Sequence, residues 1–168
     1  MNGNLNKFAP LPLRLMIGIS FIYHGLPKLG AGHADFSQSL TAMGVPAPEL
    51  MAWALALLEA GGGLLLIVGL LTRTISVLLI IEMLVAIVKV HFPAGFSFMH
   101  IVGRGENGPI FGMPGYEVNL LLIAGLASLV LSGPGRCSFS KRESVAAEAG
   151  ARESQRVSQG EPSLHEVK

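Results

Sequence analysis

Residues 50–71 read LMAWALALLEAGGGLLLIVGLL: 22 residues, apolar almost throughout, with one carboxylate, Glu59, near the middle. About 20 apolar residues carry an α-helix across the ~30 Å hydrocarbon core of a bilayer, so this stretch reads as a membrane span. Its eleven Leu, Ile and Val residues, at about −0.3 to −0.6 kcal/mol each, outweigh one central acid at about +2.5 to +3.5 kcal/mol. The helix inserts despite Glu59. An ionisable group at that depth faces other helices and pairs, or stays protonated. Ala52, Ala56 and Ala60 recur every fourth residue, with Glu59 and Gly63 beside them. Small residues let helices approach closely in lipid, so Glu59 is expected to point at its neighbours.

Composition agrees with that reading. The 168-residue chain is 51% hydrophobic and only 14% charged, against about 25% charged residues in soluble domains. It reads as a single-domain polytopic membrane protein. A net charge of +1 gives no basis for a nucleic-acid partner. A single cysteine, Cys137, leaves no internal disulfide and no multi-cysteine metal site.

Working outward, residues 11–30 form a first span. Its basic flank, Lys7 and Arg14, is also that of a signal peptide. His24, Pro27 and Lys28 interrupt the run before any good cleavage site, which favours a retained helix. Ser20, His24 and Lys28 share one helical face, and Pro27 is expected to kink or end the helix. Residues 31–49 form a loop with room for one short helix. Thr72, Arg73 and Thr74 read as a tight turn into a third span, residues 75–92, stopped by Pro93. Residues 93–115 are too interrupted by glycine to span and too apolar for a free loop, so a cap lying on the bundle at the membrane surface is expected. Residues 116–132 form the fourth span.

The reading is therefore an all-α, four-helix transmembrane bundle over residues 11–132, between an N-terminal arm at 1–10 and a polar tail at 133–168 expected to be disordered. Four spans put both termini on one side. Lys7, Arg14, Arg73, Arg136, Lys141 and Arg142 cluster there, against Lys28, Lys89 and Arg104 on the other. The excess places both termini in the cytoplasm.

At ~1.5 Å per residue, Lys28, Lys89 and Glu117 fall within about a turn of the outer surface, His24 roughly 9 Å in, and Glu59 and Glu82 ~15 Å in. Asn119 starts the fourth span beside Glu117. This polar column opens outward and ends halfway. One reading is a pocket that moves protons or holds a polar ligand, with His24, Glu59 and Glu82 as a proton relay and Lys28, Lys89, Glu117 and Asn119 as ligand contacts. The other is a set of packing ion pairs, Lys89 with Glu117 and His24 with Glu59. Intramembrane ionisable groups tend to mark function, which favours the first for the central three.

Other motifs carry less. His91 faces about 180° from Glu82 on an ideal helix, which argues against paired haem ligands, and no metal site is expected. His33, His100 and His165 read as solvated. The segment from Gly103 to Gly108 fits GxGxxG but follows no strand, so it reads as a turn and not as a nucleotide fingerprint. Cys137 reads as a bystander thiol and Trp53 as an interfacial anchor.

Taken together, three patterns resemble the DoxX family of small bacterial and archaeal membrane proteins. They are Arg14-Leu15 with Gly18 and His24-Gly25-Leu26-Pro27-Lys28-Leu29; Leu58-Glu59-Ala60-Gly61-Gly62-Gly63 with Gly69-Leu70-Leu71-Thr72-Arg73; and Tyr116-Glu117 with Asn119-Leu120, closing on Gly133-Pro134-Gly135-Arg136. Ser140 departs from the Asp often found after that closing motif. The resemblance covers about residues 8–142. It implies a four-helix membrane bundle and, more loosely, a link to quinone oxidoreductases. On that basis the chain is expected to be a membrane subunit or accessory of a quinone-linked redox system. Quinone is then the one cofactor in view, and electrons come from a redox partner protein. The alternatives are a small permease or binding protein for a polar solute, with residues 93–115 as a lid, or a structural membrane anchor.

Overall fold

The computed structural model describes residues 8–106, 108–135 and 138. The expectations for Lys7, Cys137, Ser140 and most of the tail fall outside those residues. Five α-helices and one β-hairpin follow in order: α1 (Pro10–Leu29), α2 (His33–Ala42), α3 (Pro48–Val68), α4 (Thr72–Ala86), β1 (Ile101–Gly105), β2 (Gly108–Phe111) and α5 (Glu117–Ser132). The fold is mainly helical, and the antiparallel hairpin corrects the all-α expectation.

Small residues organise the most extensive contact, between α1 and α3. A Cβ on Gly18 would lie 2.6 Å from the Gly63 carbonyl, and one on Gly63 would lie 2.6 Å from the Gly18 carbonyl. One on Gly25 would lie 2.5 Å from the Ala60 nitrogen. The helices touch backbone to backbone, as small-residue faces permit. A second pair, α4 and α5, packs against this one around Leu66, Leu79, Leu126 and Leu129, all fully buried.

The link between α3 and α4 lies earlier than expected. Gly69 takes φ +81°, and the N–H groups of Gly69 and Leu70 bond the Leu65 carbonyl. This is a glycine C-cap. The turn is Gly69-Leu70-Leu71, and Thr72, Arg73 and Thr74 form the first turn of α4. At its far end α4 loosens into a π-helical turn at Ile87–His91 and a 3₁₀ turn at Phe92–Ala94. Pro93 has no N–H to continue the α-helical ladder, which explains the change of winding. Two helices, Pro48–Val68 and Thr72–Ala94, are long and apolar enough to cross a membrane, and α5 is a shorter apolar helix.

The hairpin lies within residues 93–115. Its strands are largely exposed. Its base is fixed where residues 95–97 bond the start of α5: Gly115 N to Ser97 O, Tyr116 N to Gly95 O and Glu117 N to Phe96 O, at 3.0–3.1 Å. Gly115 is required there, because a Cβ would overlap the Gly95 carbonyl.

Candidate functional site

The two helix pairs enclose a cavity of about 680 Å³ at the end where α1 finishes and α3 begins. His24, Lys28, Glu59, Glu82, Lys89 and Asn119 all line it. Glu117 does not: its Oε2 accepts the Phe98 N–H at 3.0 Å and so fixes the base of the hairpin. The expected Lys89–Glu117 and His24–Glu59 ion pairs are not formed among the described residues.

Glu59 pairs with Lys28 instead, Nζ to Oε1 at 2.5 Å. Three local features bring them together. Lys28 lies one turn beyond His24 on the same face of α1 and has the longer reach. Gly25, between them, has no side chain to hold α3 away, and a Cβ there would come within 2.8 Å of the Glu59 Cβ. The Lys28 ammonium also lies 4.5 Å from the centre of the Phe36 ring, a cation–π arrangement. Glu59 is 4% exposed, whereas the Lys28 side chain keeps 27% exposure.

Glu82, on α4, brings its carboxyl against that of Glu59 and within the field of Lys28. Glu59 Oε2 and Glu82 Oε2 are both buried with no hydrogen-bond partner among the described residues. The Asn119 amide is buried in the same lining and, among the described residues, donates only to the Met83 sulfur, at 3.5 Å, a weak acceptor. The polar groups are thus concentrated, partly unsatisfied, and set in walls otherwise made by side chains such as Phe21, Leu58 and Leu122.

His24 is exposed at the rim, edge-on to Tyr23 at 5.6 Å. Lys89 is also exposed. His91 reaches the rim of the same cavity, and its Nδ1 donates to the Pro114 carbonyl at 2.9 Å. His33 is not a solvated loop residue. Its ring stacks on Trp53 at 4.0 Å, and its nitrogens face the Lys28 carbonyl at 3.0 Å and the Glu49 carboxylate at 2.9 Å. It ties the start of α2 to the end of α1 and the start of α3. His100 is likewise half-buried, with its Nδ1 enclosed and unpartnered among the described residues.

Two parts of the arrangement escape a residue-by-residue reading. Phe36, Leu40 and Met43 of α2 and the turn that follows it form one wall of the cavity. Their i, i+4, i+7 spacing is a helical stripe and was the available signal. At the opposite end Arg14, expected near the inner surface, is 1% exposed. Its guanidinium donates to the carbonyls of Leu66 (2.8 Å), Ile67 (2.7 Å) and Pro134 (2.6 Å). A cation there complements the C-terminal dipole of α3 and joins α1, α3 and the segment after α5.

Comparisons with known proteins cover half of the chain or more. The family model DoxX matches residues 9–92. An "Uncharacterized membrane protein" of Mycobacterium tuberculosis is 34% identical over 152 residues, covering 83% of this chain and 85% of that protein. "Inner membrane protein YqjF" of Escherichia coli is 32% identical, covering 82% of this chain and 93% of its own length. A Bacillus subtilis protein named "Putative oxidoreductase CatD" is 37% identical over 90 residues, 54% of this chain and 65% of that one. No solved structure matches the chain.

Proposed function

This chain belongs to the DoxX family of membrane proteins, and we propose that it serves as the membrane subunit of a quinone-linked redox system. In this reading α1, α3, α4 and α5 cross the bilayer as four spans with both termini cytoplasmic. The cavity then opens toward the outer side. The orientation rests on Arg14 and Arg73 at the closed end, together with Lys7, Arg136, Lys141 and Arg142 in the sequence.

The observation that carries the proposal is the pair of carboxyls, Glu59 and Glu82, meeting the Lys28 ammonium in a largely apolar cavity of about 680 Å³. Ligand sites are typically apolar clefts with a few convergent polar groups. Two buried carboxyl oxygens without hydrogen-bond partners among the described residues suit a ligand that exchanges protons. A quinone headgroup supplies two-electron, two-proton chemistry when bound, the electrons coming from a partner redox protein. The name of the Bacillus relative lends support to the redox assignment.

The chain's own residues divide the work. His24 at the rim and the Lys28 ammonium are hydrogen-bond donors for a carbonyl oxygen, and the Asn119 amide is a third. Glu59 and Glu82 exchange protons with the ligand, and His24 continues the relay to the rim. The apolar walls exclude bulk water. The test is native purification from membranes, followed by extraction and identification of lipid-soluble redox cofactors and co-purifying proteins. Co-purified quinone that is lost in the Glu59→Gln, Glu82→Gln double variant supports the site. A correctly folded protein that carries no quinone and binds none on titration rules it out.

A further inference from the structure

We propose that the hairpin joining α4 to α5 is a membrane-seated ribbon, lying at the boundary between lipid headgroups and hydrocarbon beside the mouth of the cavity. The observation is a concentration of exposed apolar side chains on a small element. Ile101, Val102, Ile110 and Phe111 in the strands are 51–59% exposed, and Phe98, Met99 and Met113 beside them 55–64%. Soluble surfaces rarely expose so contiguous an apolar patch. A two-stranded hairpin with nothing packed on it is marginal in water.

Three features identify lipid as what covers it. First, the apolar surface is continuous with the outward faces of the helices it joins. Val88 and Phe92 at the end of α4 are 70% and 67% exposed, and Leu121 on α5 is 67% exposed. Second, the ribbon cannot leave that level. The bonds from Gly115, Tyr116 and Glu117 back to residues 95–97, and from Phe98 N–H to Glu117, tie its base to the first turn of α5. Third, the charges are confined to the tip. Between His91 and Glu117 the only Lys, Arg, Asp or Glu residues are Arg104 and Glu106.

The depth follows from the backbone. An open sheet edge does not occur in hydrocarbon, where its free N–H and C=O groups find no partner. In the hydrated headgroup layer those groups are satisfied, while the apolar side chains reach the acyl boundary as interfacial elements do. The ribbon thus holds the cavity mouth at the level where lipid-borne molecules present their polar ends.

The experiment uses the full chain with Cys137→Ser, single cysteines at Val102, Phe111, Glu106 and Leu121, and nitroxide labels, in phosphatidylethanolamine–phosphatidylglycerol vesicles. Collision rates with oxygen, which concentrates in lipid, and with a water-soluble nickel complex are compared. The proposal expects oxygen-to-nickel ratios at 102 and 111 several-fold above that at 106 and approaching that at 121. Nickel-dominated collisions at 102 and 111 mean a ribbon standing in water and overturn it. Low collision rates with both reagents mean a protein partner, such as a second copy, and overturn it equally.

Discussion

The two ends of the bundle solve the problem of a buried charge in opposite ways. At the closed end the cation of Arg14 is almost fully buried and, among the described residues, donates to three backbone carbonyls from two distant parts of the chain. At the open end a cation meets two carboxyls, and two carboxyl oxygens are left without partners among the described residues. Two neutral hydroxyls on α4, Thr72 and Ser76, also lack partners among the described residues, but a hydroxyl is far less demanding than a charged group. The difference teaches which end serves the fold and which is held ready for something else. A satisfied buried network fixes geometry, whereas an unsatisfied one in a cavity fits a site that a ligand completes.

The largest expected effect tests the closed end. Arg14→Ala removes the donor from Leu66, Ile67 and Pro134 and empties the space of a long side chain. We expect a loss on the order of 3–5 kcal/mol, because three carbonyls lose their donor at about 1–3 kcal/mol each. It should appear as a lower Tm in detergent and lower abundance in membranes. Arg14→Lys should recover little, because an ammonium cannot reproduce the guanidinium fork. An unchanged Tm for Arg14→Ala would break the contrast between the ends.

The next effect separates packing from chemistry. Gly18 and Gly25 both touch α3 backbone directly, at 2.6 Å and 2.5 Å from a hypothetical Cβ. Overpacking of this kind costs about 1–3 kcal/mol, so Gly18→Ala and Gly25→Ala should each lower the Tm. Only Gly25 lies between His24 and Lys28 and against Glu59. Its variant should therefore also weaken ligand binding in the cavity, while the Gly18 variant should leave the affinity of the folded protein intact. Equal effects on binding would show that the cavity depends on the helix spacing as a whole.

How much of this could be read from the chain alone follows the same division. Glu59 and Glu82 stand out because a carboxylate in an apolar run is costly wherever it points. The α1–α3 contact is visible as a small-residue face. What could not be read was reach. Arg14 looks like an ordinary basic flank, and its bond to Pro134 spans 120 positions. Lys28 outcompetes His24 for Glu59 through side-chain length and a glycine, which helical spacing alone does not rank. The hairpin was hidden because Gly103, Gly105 and Gly108 break the alternation by which strands are recognised. Similarly, α2 is short, and its stripe acquires meaning only once it faces the cavity.

A smaller effect is expected at the tether of α2. His33→Ala removes the bonds to the Lys28 carbonyl and Glu49 and the stack on Trp53. Because the site is partly open to solvent, the loss should be about 1 kcal/mol, near the net value of one hydrogen bond. Its clearer sign should be faster hydrogen exchange in residues 33–42 with the other helices unchanged. Unaltered exchange in α2 would mean that Phe36 and Leu40 hold the helix without the histidine.

The smallest effect on stability belongs to Glu82→Gln, and it bears most directly on the open end. The amide keeps the size and most of the hydrogen-bonding capacity of the carboxyl but has no proton to exchange. Glu82 makes no ion pair of its own among the described residues, since Lys28 is bonded to Glu59. Removing its acidity therefore strands no partner, and the change in stability should stay below about 1 kcal/mol, less than a typical unsatisfied buried group costs. Glu59→Gln is the natural comparison. It takes the carboxylate from Lys28, yet Glu82 remains nearby to pair with that ammonium, so its penalty should also be well short of a fully stranded buried charge. If the two acids exchange protons with a ligand, both variants accumulate normally in membranes, keep their Tm, and fail to restore whatever phenotype a deletion strain shows. If the acids merely neutralise Lys28, each single variant should support full function, because the other acid suffices. Full rescue by well-folded Glu82→Gln and Glu59→Gln proteins would make the open end a packing device like the closed one.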